Sequence, residues 1–466
     1  MIEGLKPYPE YKESGLPWLE AIPKHWSMAP NRALMEEQRQ VVGENASSYK
    51  LLSLTLRGII ARDMENPKGK FPAQFNTYKV VRPNDFVFCL FDIDETPRAV
   101  GISNQKGMIT GAYDVFTPRR LINPRFLYHY YLFVDEGKLM KPFYTGLRKT
   151  IQRGIFASLK APLPPLDEQA AIVRFLDHMN WKIDAFIRAK RKLIGLLKEQ
   201  KQAIIHRAVT RGLNPDVPLK PSGVPWLGDI PRHWIVQRLG RISRIFNGST
   251  PSRNKPSYWH CGTIPWLPST RVNDYVVESA TEFVTDQALQ ECSISIVPKG
   301  AVIVGLVGQG KTRGKSALLG INACINQNLA AIIPRSEVIG EYLLAFLTAF
   351  YSDLRELGRG GNQEALNCEI VANFRISIPT VEEQQRIVTS INFETRYTDM
   401  AIARTEREIA FMQEYRTRLT ADIVTGKLDV REAAAKLPDL PTESPDTSAI
   451  EPIEDFDDAD LAEVGG

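Results

Sequence analysis

Residues 12–26 read KESGLPWLEAIPKHW, and residues 220–234 read KPSGVPWLGDIPRHW. Ten of the fifteen positions are identical at an offset of 208 residues, among them Ser14/Ser222, Gly15/Gly223, Trp18/Trp226, Pro23/Pro231, His25/His233 and Trp26/Trp234. Chance does not pair two tryptophans, two prolines and a histidine in this order. The chain is a tandem duplication, and a duplicated chain is suited to a two-part target.

The repeat resumes downstream at an offset of 215 residues. Gly146, Ile155, Pro164, Glu168, Gln169 and Val173 meet Gly361, Ile370, Pro379, Glu383, Gln384 and Val388. Asp184, Ile187, Ile194, Val209 and Thr210 meet Asp399, Ile402, Ile409, Val424 and Thr425. The segments between, 27–145 and 235–360, are similar in length and share little sequence. One scaffold carrying two unlike interiors suggests two different epitopes read in a fixed arrangement.

A chain of 466 residues has room for two to four domains, and its 43% hydrophobic content is ordinary for a globular protein. It shows no apolar signal core, and no stretch nears the roughly 18 apolar residues of a membrane span. Five scattered cysteines without a C-x-x-C pair fit a reduced, cytoplasmic protein and argue against a zinc site. His25 and His233 lie between Pro and Trp with no acidic neighbour in sequence, which predicts a structural role. The net charge of +4 is unevenly spread: residues 432–466 hold eleven acidic residues and one basic residue, so the body before them carries +14. A basic body favours a polyanionic partner. The acidic stretch lacks periodicity and is expected to be a disordered tail.

Asp167 to about Thr210 and Glu382 to about Thr425 contain no proline and space their apolar residues three and four apart. Ile172, Leu176, Met179, Ile183, Phe186, Leu193, Leu197 and Ile204 mark the first stripe. Ile402, Ile409, Met412, Leu419 and Ile423 mark the second. Both stripes are narrow and flanked by charge, as in a coiled-coil seam. A 30-residue section would span about 45 Å, somewhat more than one turn of B-DNA. Short apolar runs at Asp85–Phe91 and Ala301–Val307 predict buried strands, and Arg125–Val134 and Gly340–Tyr351 predict short helices.

Gly305–Thr312, GLVGQGKT, satisfies the P-loop pattern literally. A P-loop needs a helix next, where amide groups and the helix N-terminus hold phosphate. Here RGKSALLGINACINQ follows and reads as strand and turn, and the matching slot of the first repeat, CLFDIDETPRAVGIS, has no such pattern. No amino-methyltransferase motif occurs, and Asp92, Asp94 and Glu95 read as a solvated turn rather than a metal site. The chain reads as non-catalytic and without a cofactor or metal of its own. A P-loop NTPase using Gly305–Thr312, or a coiled-coil scaffold that binds no DNA, are the alternatives.

Basic residues interleaved with aromatic and amide side chains mark candidate DNA faces. In the first half these are Arg57, Arg62, Lys68, Lys70, Phe71, Gln74, Asn76, Tyr78 and Lys79. In the second they are Arg244, Asn247, Ser249, Thr250, Ser252, Arg253, Lys255, Tyr258, Trp259 and Arg271. Gln309, Lys311, Arg313 and Lys315 of the glycine-rich loop, with Asn362 and Gln363, join them.

The duplicated SG-x-PWL-x-x-IP-[KR]-HW phrase resembles that of the specificity (S) subunits of type I restriction–modification systems. So do FNGSTPSRNKPSYWHCGTIPWLPSTRVN at 246–273, Gly360-Gly361-Asn362-Gln363, PLPPLDEQ, SIPTVEEQ, and AVTRGL and IVTGKLDV after the helices. The resemblance covers residues 8–431. It implies an α+β fold with two target-recognition domains in pseudo-two-fold tandem repeat, separated by two long helices that form an antiparallel coiled coil. The expected divisions are 1–165 and 213–379 for the recognition domains, 166–212 and 380–431 for the spacer helices, and 432–466 for the tail. Each domain would read one half of a bipartite, asymmetric double-stranded DNA target. Two modification subunits holding S-adenosylmethionine would methylate adenine. Restriction subunits using ATP and Mg would cut DNA.

Overall fold

Ser14 and Ser222 hold the same turn in the two copies of the phrase. Ser14 Oγ accepts from the Leu16 amide at 3.0 Å, and Ser222 Oγ accepts from the Val224 amide at 3.1 Å. The glycine after each serine has a positive φ, 75° at Gly15 and 71° at Gly223, which a Cβ would oppose. Each phrase therefore folds back as an antiparallel pair, Tyr11–Leu16 with Leu19–Pro23 and Leu219–Pro221 with Asp229–Pro231. Trp26 and Trp234, which end the phrases, are fully buried.

The computed structural model describes residues 5–63, 75–93, 95–308, 312–359 and 365–440. The chain falls into two units, the first combining Met1–Arg191 with Glu406–Gly466 and the second formed by Lys192–Thr405. The elements up to the first long helix are β1 (Tyr11–Leu16), β2 (Leu19–Pro23), β3 (Ser27–Pro30), α1 (Asn31–Leu34), β4 (Met35–Gln38), β5 (Leu52–Thr55), β6 (Gly58–Ala61), β7 (Lys79–Val81), β8 (Phe86–Phe88), β9 (Val100–Ile102), β10 (Gly107–Ile109), β11 (Asp114–Pro118), α2 (Pro124–Glu136), α3 (Arg153–Ser158), β12 (Lys160–Leu163) and α4 (Leu166–Arg211). There follow β13 (Leu219–Pro221), β14 (Asp229–Pro231), β15 (Ile235–Arg238), α5 (Leu239–Ile242), β16 (Ser243–Asn247), β17 (Ile264–Leu267), β18 (Val276–Val277), β19 (Glu282–Val284) and α6 (Asp286–Glu291). The rest are β20 (Val302–Gly305), β21 (Ser316–Leu319), β22 (Cys324–Ile325), β23 (Leu329–Pro334), α7 (Gly340–Ala349), α8 (Tyr351–Glu356), α9 (Cys368–Asn373), β24 (Arg375–Ile378), α10 (Val381–Val424) and α11 (Arg431–Ala435).

The duplication runs through the interiors that share little sequence. The first unit has a sheet of order β4-β11-β8-β9, and the second has β16-β23-β20-β21 with β18 added at its edge. β3, α1 and β4 recur as β15, α5 and β16 at an offset of 208; β8 and β9 recur as β20 and β21 at 216; α3 and β12 recur as α9 and β24 at 215. A strand covered on both faces needs only apolar residues of suitable size, so Phe86–Phe88 and Val302–Gly305 can differ throughout and still be equally buried. What differs is the insertion before the central strand: β5, β6 and β7 in the first unit, and β17, β18, β19 and α6 in the second. The first core gathers Trp26, Phe86, Phe88, Phe126 and Phe156, and the second gathers Trp234, Tyr342, Phe346 and Phe374.

Gln169 and Gln384 tie the start of each long helix to its domain. Gln169 Nε2 donates to the Pro164 carbonyl at 2.8 Å and its Oε1 accepts from the Asn123 amide at 2.6 Å. Gln384 Nε2 donates to the carbonyls of Pro379 and Glu337 at 3.0 and 2.8 Å, and its Oε1 accepts from the Ile339 amide at 3.0 Å.

The long helices α4 and α10 carry the expected heptad seam. On α10 the inward positions step by four and three: Ile391, Thr395, Thr398, Ile402, Thr405, Ile409, Met412, Arg416, Leu419 and Ile423. Thr395, Thr398 and Thr405 are buried seam residues that apolar periodicity did not mark. Phe186 and Leu193 of the expected first stripe are instead exposed at 36% and 40%, because the seam of α4 there runs through Ile187, Lys190 and Ile194. The Lys190 ammonium lies over the Phe186 ring at 5.2 Å. In the first unit Arg416 pairs with Asp184, and Lys190 Nζ meets Glu408 at 2.7 Å. In the second, Lys201 Nζ meets Asp399 at 2.6 Å, and Ile205 and Val209 share a core with Ile387 and Ile391. In both units rising numbers on α4 meet falling numbers on α10, so the helices pack antiparallel.

The stretch expected to be a tail from 432 begins in ordered structure. The Asp429 amide donates to the Lys6 carbonyl at 2.8 Å, and Val430 and Ala434, before and within α11, are buried in the first unit. Residues 441–466 lie outside the described residues. No helix among the described residues is long and apolar enough to cross a membrane.

Candidate nucleic-acid interface

In the second unit the chain leaves β16 through Gly248, whose amide donates to the Leu329 carbonyl at 3.2 Å, while the Ser249 amide donates to the Ile325 carbonyl at 3.0 Å. A Cβ on Gly248 would collide with the Ile325 carbonyl, so only glycine lets this loop lie against the strand. Trp266 Nε1 donates to the Ser249 carbonyl and Trp259 Nε1 to the Ser252 carbonyl, both at 3.1 Å. The Arg253 guanidinium lies 3.8 Å from the centre of the Trp259 ring and 4.9 Å from that of Trp266. Its Nη1 pairs with Glu282 at 2.5 Å.

Lys255 Nζ donates to the Tyr258 hydroxyl at 2.8 Å and to Glu291 at 2.6 Å, and Tyr258 donates to the same carboxylate at 2.8 Å. The hydrogen bond from Lys255, then those from Gln287 and Tyr258, hold the Glu291 carboxyl at about 2. The Lys255 ammonium is raised in return, first by Glu291 and then by Tyr258. Thr250 bonds Gln327. The structure thus gathers Ser249, Thr250, Ser252, Arg253, Lys255, Tyr258 and Trp259 into one cluster, entered from Asn247. Ser252 and Arg253 are exposed, whereas Tyr258 is buried. The acidic partners Glu282 and Glu291 and the amide of Gln327 were not legible in sequence, because they come from β19, α6 and a loop far along the chain.

Arg271 and Lys315 form a separate group. Arg271 Nη2 donates to the Ser279 carbonyl at 2.7 Å and pairs with Asp274 at 3.0 Å; Lys315 Nζ donates to Asn273 Oδ1 at 2.8 Å. Arg313 is buried, and its carbonyl accepts from Arg355 Nη1 at 3.0 Å. The Arg244 guanidinium stacks 5.1 Å from the Phe246 ring. Gln309, Lys311, Asn362 and Gln363 lie outside the described residues.

The first unit presents a smaller group on its own insertion. Arg57 sits exposed at the β5–β6 turn, where its amide donates to Thr55 Oγ1 at 3.1 Å. Tyr78 packs edge-on against Phe75 at 5.0 Å, and burial raises its hydroxyl above the usual range. Asn76 is exposed beside it, with its carbonyl accepting from the Gly43 amide at 3.2 Å. The Arg62 amide donates to the Leu51 carbonyl at 2.9 Å. Lys79 turns inward to Asp114 at 3.1 Å and the Tyr113 carbonyl at 2.5 Å. Lys68, Lys70, Phe71 and Gln74 lie outside the described residues, as does Asp94. Among the described residues no cluster of His, Cys, Asp or Glu could hold a metal ion.

The P-loop-like stretch is a hairpin connection. β20 pairs antiparallel with β21, Val304 opposite Ser316, so a strand follows the loop where a nucleotide site would need a helix. The first unit repeats the hairpin between β8 and β9, with Phe88 opposite Val100. Its loop turns at Asp92 with φ 46°, where the second turns at Gly308 with φ 136°. Among the described residues no helix follows either loop before the next strand, so there is no helix N-terminus there to hold phosphates.

The model of the type I restriction modification DNA specificity domain matches residues 91–193 and 231–396, more than half of the chain. The chain is 24% identical over 299 residues to the type I restriction enzyme EcoR124I/EcoR124II specificity subunit of Escherichia coli, covering 61% of this chain and 67% of that protein. It is 33% identical over 172 residues to the MjaIX specificity subunit of Methanocaldococcus jannaschii, covering 36% and 39%. A chain solved in work on complex assembly and conformational transition of the type I R-M system superposes with a TM-score of 0.59 at 16% identity, covering 86% of this chain and 98% of that one, and so shares the fold. With the duplicated phrase, the doubled sheet and the helix pair, these matches show that the chain belongs to the family of specificity subunits of type I restriction–modification systems, the non-catalytic members of those systems.

Proposed function

We propose that the recognition domain in each unit reads one half of a bipartite, asymmetric duplex sequence, and that α4 and α10 fix the gap between the halves. The observation that carries this is one sheet frame built twice around two unlike insertions: β5–β7 with Arg57, Asn76 and Tyr78 in the first unit, and the β16–β17 connection with Ser249 to Trp259 followed by β17–α6 in the second. Equal frames suit two readers of one kind, and unlike insertions give them different base edges to read. The exposed Arg253 and Ser252 suit phosphate and groove contacts, while Tyr258, Glu282 and Glu291 hold the basic groups in place.

The reading extends to partners in the cytoplasm. Two modification subunits dock on the duplicated frame, bind S-adenosylmethionine and methylate an adenine flipped from the duplex. Restriction subunits using ATP and Mg complete the complex. The test is methylome sequencing of a host carrying this chain with its modification subunit. A single motif of two fixed halves around a fixed gap of unspecified bases is expected; a continuous palindrome, or no modified motif, would overturn the reading.

A further inference from the structure

Leu147 is 104% exposed, more than any other large apolar residue among those described, where the next values are 69%. It stands at the tip of a tight hairpin. The Thr145 amide donates to the Thr150 carbonyl at 2.9 Å, and the Thr150 amide returns to the Thr145 carbonyl at 3.0 Å. Gly146 and Lys149 take positive φ values of 73° and 44°, which turn the chain sharply around Leu147 and Arg148. The hairpin is pinned to the β8–β9 loop, since the Asp92 amide donates to the Arg148 carbonyl at 3.0 Å and the Ile151 amide to the Leu90 carbonyl at 2.8 Å. The leucine is therefore held out on a fixed backbone, with the exposed Arg148 next to it and Lys149 beyond. Glu95 lies 3.7 Å from the Lys149 ammonium and neutralises part of its charge.

The second unit repeats the support and changes the tip. Arg359 and Ala365 bridge in the antiparallel sense, and the Leu366 amide donates to the Leu306 carbonyl at 2.8 Å, as Ile151 does to Leu90. The residues between are Gly-Gly-Asn-Gln-Glu, with no apolar side chain. An apolar tip beside cations is thus particular to the first unit. Leucine in this setting fits the minor-groove wedges that enter between base pairs while cations hold the flanking phosphates.

We infer that Leu147 is a wedge that inserts into the duplex at the half-site read by the first unit. This rests on the proposed DNA-reading function and gives the reader of the first unit a mode of its own, local unstacking at its half-site. The occupant is duplex DNA, because the tip couples one apolar side chain to cations instead of lying in a wider apolar patch.

The experiment uses the chain assembled with its modification subunits, and duplexes carrying the methylated motif with 2-aminopurine placed step by step through each half. For the wild type, fluorescence should rise at one step of the first half, apart from the methylated adenine. Leu147→Ser should abolish that rise and weaken specific binding about tenfold, the size of one lost specific contact. Leu147→Met should keep both. The rise at the methylated adenine should persist in every variant. If wild type binds its motif and Leu147→Ser leaves both signals unchanged, the wedge is wrong and the DNA-reading function stands. If Leu147→Ser prevents assembly with the modification subunits, the tip is a protein contact and the inference also fails. If wild type shows no motif-specific binding, the DNA-reading function itself fails.

Discussion

Glu168, on the first turn of α4, accepts a hydrogen bond from His25 Nε2 at 2.8 Å, and Glu383 on α10 accepts one from His233 Nε2 at 2.9 Å. The two duplicated motifs of the sequence, the I-P-x-H-W end of the phrase and the x-E-Q start of the helix, therefore meet in each unit. Each histidine is thereby tied to the start of a long helix by an acidic partner that lies about 140–150 residues away in sequence. The copies are unequal. Glu168 also accepts from Trp26 Nε1 at 2.9 Å and from the Tyr8 hydroxyl, whereas Trp234 Nε1 is buried without a hydrogen-bond partner among the described residues.

That asymmetry predicts unequal costs. Glu168→Ala would strand two buried donors and should destabilise the first unit by about 2–6 kcal/mol, since each unpaired buried donor costs about 1–3 kcal/mol. Glu383→Ala loses only the bond to a half-exposed histidine and should cost about 1 kcal/mol. Denaturant unfolding of the assembled complex, followed by hydrogen exchange in each unit, checks this; equal losses would contradict it.

His178 on α4 is buried with neither ring nitrogen bonded among the described residues. Burial, then the charges of Lys182 and Arg174, lowers its pKa below the usual 6.5. The folded state thus holds it neutral while the unfolded chain takes up a proton below 6.5, so stability should fall as pH drops through that value towards the lower folded pKa. His178→Phe should flatten the melting temperature between pH 7.5 and 5, as measured by calorimetry at about those values. An unchanged slope would show that His178 does not set it.

Gly248 lies where a Cβ meets the Ile325 carbonyl. Gly248→Ala must push the loop off β22 and carry Ser249 and Thr250 with it. Specific binding should weaken about tenfold or more through the second half-site alone, as for a lost specific contact. Competition with duplexes altered in one half at a time would reveal a loss shared by both halves, which would defeat this prediction.

Replacing 235–360 by the matching segment of a relative should change one half of the methylated motif and leave the other intact. The repeated frame of β15–β16, β23 and β24 gives the graft its borders. Methylome sequencing reads the outcome, and a change in both halves would end the modular reading.

Four residues inserted in α4 after Leu196, matched by four in α10 after Arg404, add about 6 Å to the helix pair, or one to two base pairs of gap. Leu196 is 54% exposed, so the insertion point itself breaks no packing. The motif should keep both halves and lengthen between them. Two-residue insertions turn the seam away from its partner and should abolish assembly. An active four-residue variant with an unchanged gap would show that something else sets the spacing.

The duplication, the two long helices and their seam were legible in sequence because they rest on local regularities. A turn needs serine, glycine and proline in order, and a coiled coil needs a 3–4 spacing. The sequence by itself also ruled against a P-loop at Gly305–Thr312, since no helix-forming stretch follows. Only the tertiary structure decided the rest. The sheet repeats where the sequence does not, because a buried strand constrains size and polarity and leaves identity free. Thr395, Thr398 and Thr405 fill the seam because burial there depends on the partner helix and on back-bonding such as that of Thr405 to Ala401. The links from His25 to Glu168, Lys255 to Glu291 and Arg253 to Glu282 join residues far apart in the chain, and no local pattern foretells such pairs. The exposure of Leu147 likewise follows from a hairpin pinned to a neighbouring loop, which only the folded chain brings beside it.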